Sequence, residues 1–362
     1  MSRSLRAAVI GLGWAGTVHA RALAHMDGVN LVAVADTDPV RRVAYPAQRQ
    51  AIDVNELLTL DLDYCVVATP TATHEEVGLT LADAGINALI EKPLAPTLEA
   101  SLRLVDAFDR RALIAAVGHT ERRNPAIGEL AARLRTGEFG TLYALATRRH
   151  SPFPDRIRDV GVVTDIGIHD VDLVAYLTGR HITSVAARTA HISGRAHEDL
   201  ATATCVLDGA GLATIELSRI APLKERLVTV YTAAGRVSVD ALTCTITHHT
   251  NASLQAGERA DRFPGMTTGP IISRHIDGPE PFYAQNAAFR DALQGRPHDI
   301  VTLREGAAAV AATEAILTAA RTNASTPVPA PVPTALPGPQ AASHDAPAAA
   351  FTSRTSLEGS PL

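Results

Sequence analysis

The stretch from Arg6 to Asp36 limits the possible folds most. "RAAVIGLGWAG" runs from an apolar strand into a glycine-rich turn, "TVHARALAHMDG" follows with helical spacing, and "VNLVAVAD" is a second strand ending in an acid. Gly11, Gly13 and Gly16 set out G-x-G-x-x-G within this β-turn-α-β order, with Asp36 about 20 residues further on, which is the dinucleotide-binding fingerprint. Gly11 permits the tight turn, Gly13 lets backbone approach a pyrophosphate, and Gly16 lets the helix lie close to the strand. The helix N-terminus, with unpaired N–H groups and partial positive charge, receives the phosphates. Gly11, Leu12, Gly13, Trp14, Ala15 and Gly16 are thus the expected cofactor cradle. Asp36 is placed to accept from an adenosine ribose and to repel a 2′-phosphate, favouring NAD over NADP, a preference that the nearby Arg41 and Arg42 soften.

Short apolar strands continue at "DYCVVATP", "NALIEKPLA" and "ALIAAVGHT", separated by helical stretches. This is the pattern of an α/β fold with a doubly wound parallel sheet, in which ligands gather at the carboxyl ends of the strands. Thr69, Pro70, His74, Glu91 and Lys92 sit at or beyond such ends and join the expected cofactor set. Pro70 also reads as an ordinary strand terminator, and His74 as the start of the next helix. After about residue 124 the chain changes character. "TLYALATRRH", "ITSVAARTAHI", "DLATATCVLDGAGLATIELSRI" and "ERLVTVYTAAGRVSVDAL" are β-type segments, two of them folding back through glycine turns as in an antiparallel sheet. Closing helices are expected at residues 281 to 294 and 302 to 321, the second begun by a capping box at Thr302 and Glu305. The expected organisation is a Rossmann domain at residues 1 to 123, an α+β substrate and oligomerisation domain at 124 to 322, and a disordered Pro/Ala-rich tail at 323 to 362.

"TDIGIHDVD" sets three aspartates and a histidine among apolar residues. In a helix begun at Asp165, successive residues turn roughly 100°. Asp165, His169, Asp172 and Tyr176 then share one narrow face, while Ile166, Ile168, Val171, Leu173, Val174 and Leu177 fill most of the rest. Such a stripe reads either as a functional face or as a helix cap with an i,i+3 pair at a domain edge. Asp170 points off the stripe and is expected to make a structural hydrogen bond.

Composition narrows the setting. A net charge of −5 with no basic cluster excludes nucleic acid as the main partner, and three scattered cysteines imply neither a disulfide framework nor a metal site. No apolar run reaches the roughly 18 residues of a membrane span, so a soluble cytoplasmic protein is expected. All but two of the 33 basic residues are arginine, the exceptions being Lys92 and Lys224. Lysine offers what arginine does not, a compact ammonium able to lose its proton.

At "EKPLA", with the fingerprint upstream and D-x-x-x-H downstream, the chain resembles the glucose-fructose oxidoreductase and inositol dehydrogenase family (Gfo/Idh/MocA) over roughly residues 6 to 321. The resemblance implies an NAD(P)-binding Rossmann domain and an α/β domain with an open sheet that supplies the substrate pocket and often an oligomer face, hence a homodimer or homotetramer. It also implies that Lys92 meets substrate and nicotinamide, and that Asp165 and His169 complete the catalytic group. A neutral histidine takes a hydroxyl proton near pH 7 and an ammonium stabilises an alkoxide. His169 is therefore expected as base and Lys92 as electrostatic partner and proton relay, although the family admits the reverse. Asp165 is expected to fix the histidine or to bind a sugar hydroxyl, with Asp172 supporting from behind.

"GHTERRNPA", "PFPDRIRDVGVVTDIGIHDVD" and "LKERLVTVYTAAGRVSVDALT" further resemble the branch of nucleotide-sugar 3-dehydrogenases, including those of UDP-N-acetylglucosamine, with Arg123 standing where an aromatic residue is usual. This implies oxidation at C3 of a UDP-glucose or UDP-N-acetylglucosamine type sugar, ahead of a pyridoxal-phosphate aminotransferase. A nucleotide diphosphate needs cations, for which Arg122, Arg156, Arg158 and Lys224 are candidates. Glu121 and Asn124 are candidates for sugar hydroxyls. An inositol or aminocyclitol dehydrogenase, and an NAD-requiring glycosidase, are the alternatives.

Overall fold

The computed structural model describes residues 3–45, 47–153, 160–209, 211–251 and 268–330. Its first sheet contains β1 (Leu5–Ile10), β2 (Val29–Ala35), β3 (Arg49–Ala51), β4 (Tyr64–Val67), β5 (Asn87–Glu91) and β6 (Ala115–Gly118). All pair in parallel, in the order β3-β2-β1-β4-β5-β6. The strands are nearly continuous apolar runs because helices cover both faces. Those helices are α1 (Trp14–Ala24), α2 (Pro39–Ala44), α3 (Val54–Leu57), α4 (His74–Asp83) and α5 (Leu98–Arg110).

The chain then forms α6 (Pro125–Arg135), β7 (Leu142–His150) and α7 (Ile168–Thr178). Next come β8 (Ile182–Ala190), β9 (Leu200–Leu207), β10 (Gly211–Ser218), β11 (Glu225–Thr232), β12 (Gly235–Asp240), β13 (Thr245–Asn251) and β14 (Thr268–His275). It closes with α8 (Pro281–Leu293), α9 (Leu303–Thr322) and β15 (Thr326–Pro327). Among the described residues the second sheet runs β14-β13-β12-β11-β7-β10-β9-β8-β15. It is antiparallel except where β10 lies parallel to β7. Its strands alternate: β9 buries Ala201, Ala203, Cys205 and Leu207 while Thr202, Thr204 and Val206 face out. That period of two marks a sheet covered on one face only, here by α7 and α9.

The two cores do not follow chain order. Phe289 of α8 is fully buried in the first core and meets Tyr64 edge-on at 5.4 Å. On α9, Leu303 and Ala307 belong to the first sheet's core, whereas Val310, Ala312, Ile316 and Ala319 belong to the second's. A Cβ on Gly306 would stand 2.5 Å from Val117 Cγ2, so glycine lets α9 press against β6. The expected capping box holds: Thr302 and Glu305 cap each other reciprocally.

The unstructured stretch expected from residue 323 is corrected at its start. Asn323 turns left-handed at φ 61° and ends α9. The chain then doubles back along β8, where Val328 N–H donates to Thr183 O at 2.9 Å. From residue 331 the expected tail lies outside the described residues. Among the described residues, no helix is long and apolar enough to cross a membrane.

Candidate active site

The glycine turn comes first. Gly11 sits at φ +88°, where a side chain is strained, and a Cβ there would lie 2.6 Å from Ala68 O. A Cβ on Gly16 would overlap the Gly11 carbonyl, so the helix lies on the strand as expected. Gly13 differs: nothing lies within 4 Å of where its Cβ would be. Gly13 precedes α1 and supplies no side-chain cap, which leaves the leading amides of that helix to a ligand. Asp36, at the end of β2, accepts from Leu12 N at 2.6 Å and from Asp38 N at 2.8 Å. Its carboxylate therefore braces the turn itself. Arg41 stands 3.8 Å from Asp36 Oδ2, and Arg42 donates to the Asp36 carbonyl. This cradle fits a dinucleotide.

At the ends of β4 and β5, His74 is 1% exposed and its two ring nitrogens lie 2.9 Å from Thr69 O and 2.9 Å from Pro93 O. Its place in the expected cofactor set is thereby corrected to a brace between the Thr69–Pro70 corner and the lysine turn, because both polar atoms are engaged. The Lys92–Pro93 peptide is cis. Glu91 is buried against His19 at 3.0 Å.

Beyond this turn stands the opening of α7. The helix does not begin at Asp165: residues Val163–Gly167 form a π-helical turn in front of it. Glu198 holds that turn by accepting from Val163 N at 3.0 Å, and its own carbonyl accepts from Val162 N at 3.0 Å. Gly167 lets Leu217 pack close to that turn, since a Cβ would lie 2.6 Å from Leu217 Cδ1. Lys92 Nζ donates to Asp165 O at 2.7 Å and lies 3.4 Å from Asp165 Oδ1. Arg219, just past β10, pairs with Asp165 Oδ2. Asp165 thus holds two cations, in place of the expected histidine or sugar hydroxyl. His169 lies one turn on, with its Nδ1 buried and unpartnered among the described residues. Burial, followed by the charges of Lys92 and Arg149, pushes its pKa well below the ordinary histidine value. The ring is therefore neutral near pH 7, as a base must be.

The stripe projected from a regular helix is divided between two sets of partners, Lys92 and Arg219 at Asp165 and Arg122 at Asp172. Asp172 does not support His169. It accepts from Arg122 Nε at 2.8 Å and Nη2 at 2.6 Å, while Arg122 Nη1 reaches Glu305 at 2.7 Å. Arg122 also lies 4.8 Å from the Tyr176 ring centre. Its expected role as a substrate cation is corrected, since two carboxylates hold it in the interior. Asn124 is likewise corrected: its carbonyl oxygen caps α6 through Ala126 N and Ile127 N, and its amide donates to Ala241 O at 2.8 Å. Asp170 makes the expected structural contact, to Arg149 Nε at 2.9 Å. Arg123 turns away to the Asp299 carbonyl at 2.6 Å.

Glu121 remains near the centre. It lies 3.0 Å from Arg149 and 3.1 Å from Arg226, and although burial opposes its charge, these arginines, with Lys92 a smaller influence, keep its pKa below the ordinary carboxyl value. Lys224 is exposed just before β11, two residues from Arg226. Arg156 and Arg158 lie outside the described residues. Reading the sequence missed Arg219, Arg149 and Glu198. Arg149 left a usable signal, because strand alternation places it on the same buried face as Leu145 and Thr147. Arg219 and Glu198 left none, since their partners are more than 30 residues away in sequence.

Comparison with known proteins finds two family models. Residues 5–119 match the NAD-binding Rossmann domain of the GFO_IDH_MocA oxidoreductase family, and residues 127–238 match the C-terminal domain of the same family. UDP-N-acetylglucosamine 3-dehydrogenase of Acidithiobacillus ferrooxidans is 32% identical over 243 residues, covering 67% of this chain and 76% of that enzyme. A crystal structure of the enzyme of that name from the same organism superposes with a TM-score of 0.78 at 28% identity, covering 89% of this chain and 99% of that one. Inositol 2-dehydrogenase 2 of Saccharopolyspora erythraea is 34% identical over 200 residues, covering 53% of this chain and 59% of that enzyme.

Proposed function

Because the chain belongs to the Gfo/Idh/MocA oxidoreductases, NAD-binding dehydrogenases acting on CH–OH groups, we propose that it oxidises the C3 hydroxyl of a nucleotide-activated hexose of the UDP-glucose or UDP-N-acetylglucosamine type. The observation that carries this reading is Lys92 held by Asp165, with His169 one helical turn beyond that aspartate and the histidine pKa pushed well below the ordinary value by burial. Gly11 to Gly16, Asp36, Thr69, Pro70 and Glu91 would hold NAD, which supplies a hydride acceptor at the nicotinamide C4. His169 takes the hydroxyl proton as the carbon–hydrogen bond breaks, and the Lys92 ammonium stabilises the alkoxide. Asp165, itself gripped by Arg219, aims the lysine. Glu121 is the candidate for a neighbouring hydroxyl. Lys224 and Arg226, with Arg156 and Arg158, are the candidates for the diphosphate.

Similarity to UDP-N-acetylglucosamine 3-dehydrogenase supports the nucleotide sugar. A free cyclitol is the second reading, supported by the inositol dehydrogenase relative and by the internal pairing of Arg122, which removes one expected phosphate ligand. The test is NADH formation across a panel of UDP-hexoses, dTDP-hexoses and inositols with a ketone trap present. Turnover of inositols alone would reverse the order, and turnover of none with NAD binding intact would end both readings. A 3-keto product calls for a pyridoxal-phosphate aminotransferase as the next step. A homodimer or homotetramer would form through the open face of the second sheet, where Leu212, Val206 and Tyr231 are exposed and Tyr231 lines a concavity of about 700 Å³. Light scattering on the purified protein reads this directly.

A further inference from the structure

Behind the lysine turn lies a chain of buried polar side chains whose outer members the proposed chemistry does not use. His19 on α1 is 0% exposed, Asn286 on α8 is 1% exposed, and Glu91 at the end of β5 is 8% exposed. Asn286 Nδ2 donates to the Phe282 carbonyl at 2.8 Å, which identifies that end of the amide as nitrogen. The same Nδ2 lies 2.9 Å from His19 Nδ1, so Nδ1 accepts and Nε2 carries the hydrogen. Nε2 then donates to Glu91 Oε1 at 3.0 Å, and Glu91 Oε2 accepts from Lys92 N at 3.2 Å. The links run from a closing helix, through the helix expected to receive the pyrophosphate, to the peptide of the lysine.

The surroundings leave this chain little freedom. Phe282 meets the His19 ring edge-on at 5.0 Å and the Trp14 ring at 5.5 Å. A Cβ on Gly118 would stand 2.5 Å from Glu91 Oε1, so glycine on the neighbouring strand makes room for the carboxylate. Burial opposes the charge on Glu91, yet His19 and Lys92 outweigh it and hold the carboxyl below its ordinary value. A buried charged or polar group is often no more stabilising than apolar residues of the same shape, so stability alone does not account for this chain. A histidine whose tautomer is set by an amide and which orients a carboxylate is the arrangement used to aim a reacting group.

We propose that Asn286 and His19 are positioning residues: through Glu91 they hold the Lys92 turn in register with α1, so that the cofactor-binding helix and the reacting lysine move as one body. This rests on the reading of Lys92 given above. The chain contains two lysines, Lys92 and Lys224, so reductive methylation with isotope-labelled formaldehyde gives two lysine signals by nuclear magnetic resonance, and Lys224→Arg assigns them. In Asn286→Leu and His19→Gln the Lys92 signal shifts and broadens while that of Lys224 stays in place. Turnover falls by about tenfold to a hundredfold, with KM for the sugar changed far less. Asn286→Ala gives the same reading if the larger changes do not fold. An unmoved Lys92 signal with unchanged kcat overturns the proposal and leaves the three side chains a packing feature. Full turnover in Lys92→Ala overturns the catalytic reading itself, an outcome separate from a failure of the signal test.

Discussion

Helix α7 and its leading turn carry three aspartates that each bind cations, and the clusters at Asp165 and Asp172 are built differently. Asp172 grips Arg122 through two short bonds, and its side chain is 1% exposed against 7% for the arginine. Asp165 holds Lys92 at 3.4 Å through its carboxylate, and those side chains are 13% and 19% exposed. Beside the first pair lies more structure: Glu305, Tyr176 and, at 3.7 Å, His119. Beside the second lies a histidine whose Nδ1 lacks a partner among the described residues. His119, beside the first pair, also has ring nitrogens without a hydrogen-bond partner among the described residues, so the difference lies in the pairs themselves: a dry, doubly bonded pair serves structure, whereas a looser and more exposed one can meet a substrate.

The largest effect expected from breaking this contrast comes from Arg122→Met. Asp172 loses its main cation, and unfolding free energy falls by about 3–5 kcal/mol, as for other buried pairs cut on one side. Urea denaturation measures the loss. A raised KM for a nucleotide sugar at unchanged stability would restore Arg122 to the substrate site. Next in size, Lys92→Ala and His169→Ala lower turnover by roughly a hundredfold or more. NAD affinity changes little and is read from quenching of Trp14, the single tryptophan, which lies in the glycine turn. Retained turnover in either variant contradicts the assignment. Arg219→Met frees one side of Asp165 and costs about tenfold in turnover through a less constrained lysine, with a smaller stability loss than Arg122→Met because Lys92 still pairs with Asp165. A stability loss as large as that of Arg122→Met would make the two clusters alike.

The smallest effect is on pH dependence. Burial lowers the proton affinity of His74, His119 and His169 in the folded chain. Unfolded, each histidine takes a proton below about pH 6.5. The unfolded state then binds more protons than the folded one, so stability falls on acidification below that value, and the effect is absent well above it. His119→Gln removes one of these groups and flattens the fall in urea midpoint between about pH 7 and 5.5. A slope equal to the parent's would mean that His119 is charged in the fold. Since His169 also stays neutral, kcat/KM is expected to show no acid limb at the ordinary histidine value.

Much of the first sheet is legible in the sequence because its signals are local: the glycine spacing, the apolar runs, and an acid at the end of β2. The hairpins of the second sheet are legible for the same reason, through alternation and glycine turns. Lys92, Asp165 and His169 were named from two short motifs, and the fold sets Lys92 against Asp165 across 73 residues of chain. What failed were assignments that used the right residue type with no knowledge of its partner. Arg122 looked like a phosphate ligand and Asn124 like a sugar ligand, yet one is neutralised by Asp172 and Glu305 and the other caps α6.

The sequence by itself determined the dinucleotide cradle and the two kinds of sheet, because each is written within a few residues by backbone geometry or periodicity; the candidate reacting side chains came from the family resemblance. Tertiary structure alone decided which charges are spent on one another, that a π-helical turn leads into α7, and how α8 and α9 tie the two cores together. Those outcomes depend on pairings between groups distant in the chain. A charged side chain shows its type in the sequence, but burial and the distance to its partner decide whether that charge holds the fold or acts on a substrate.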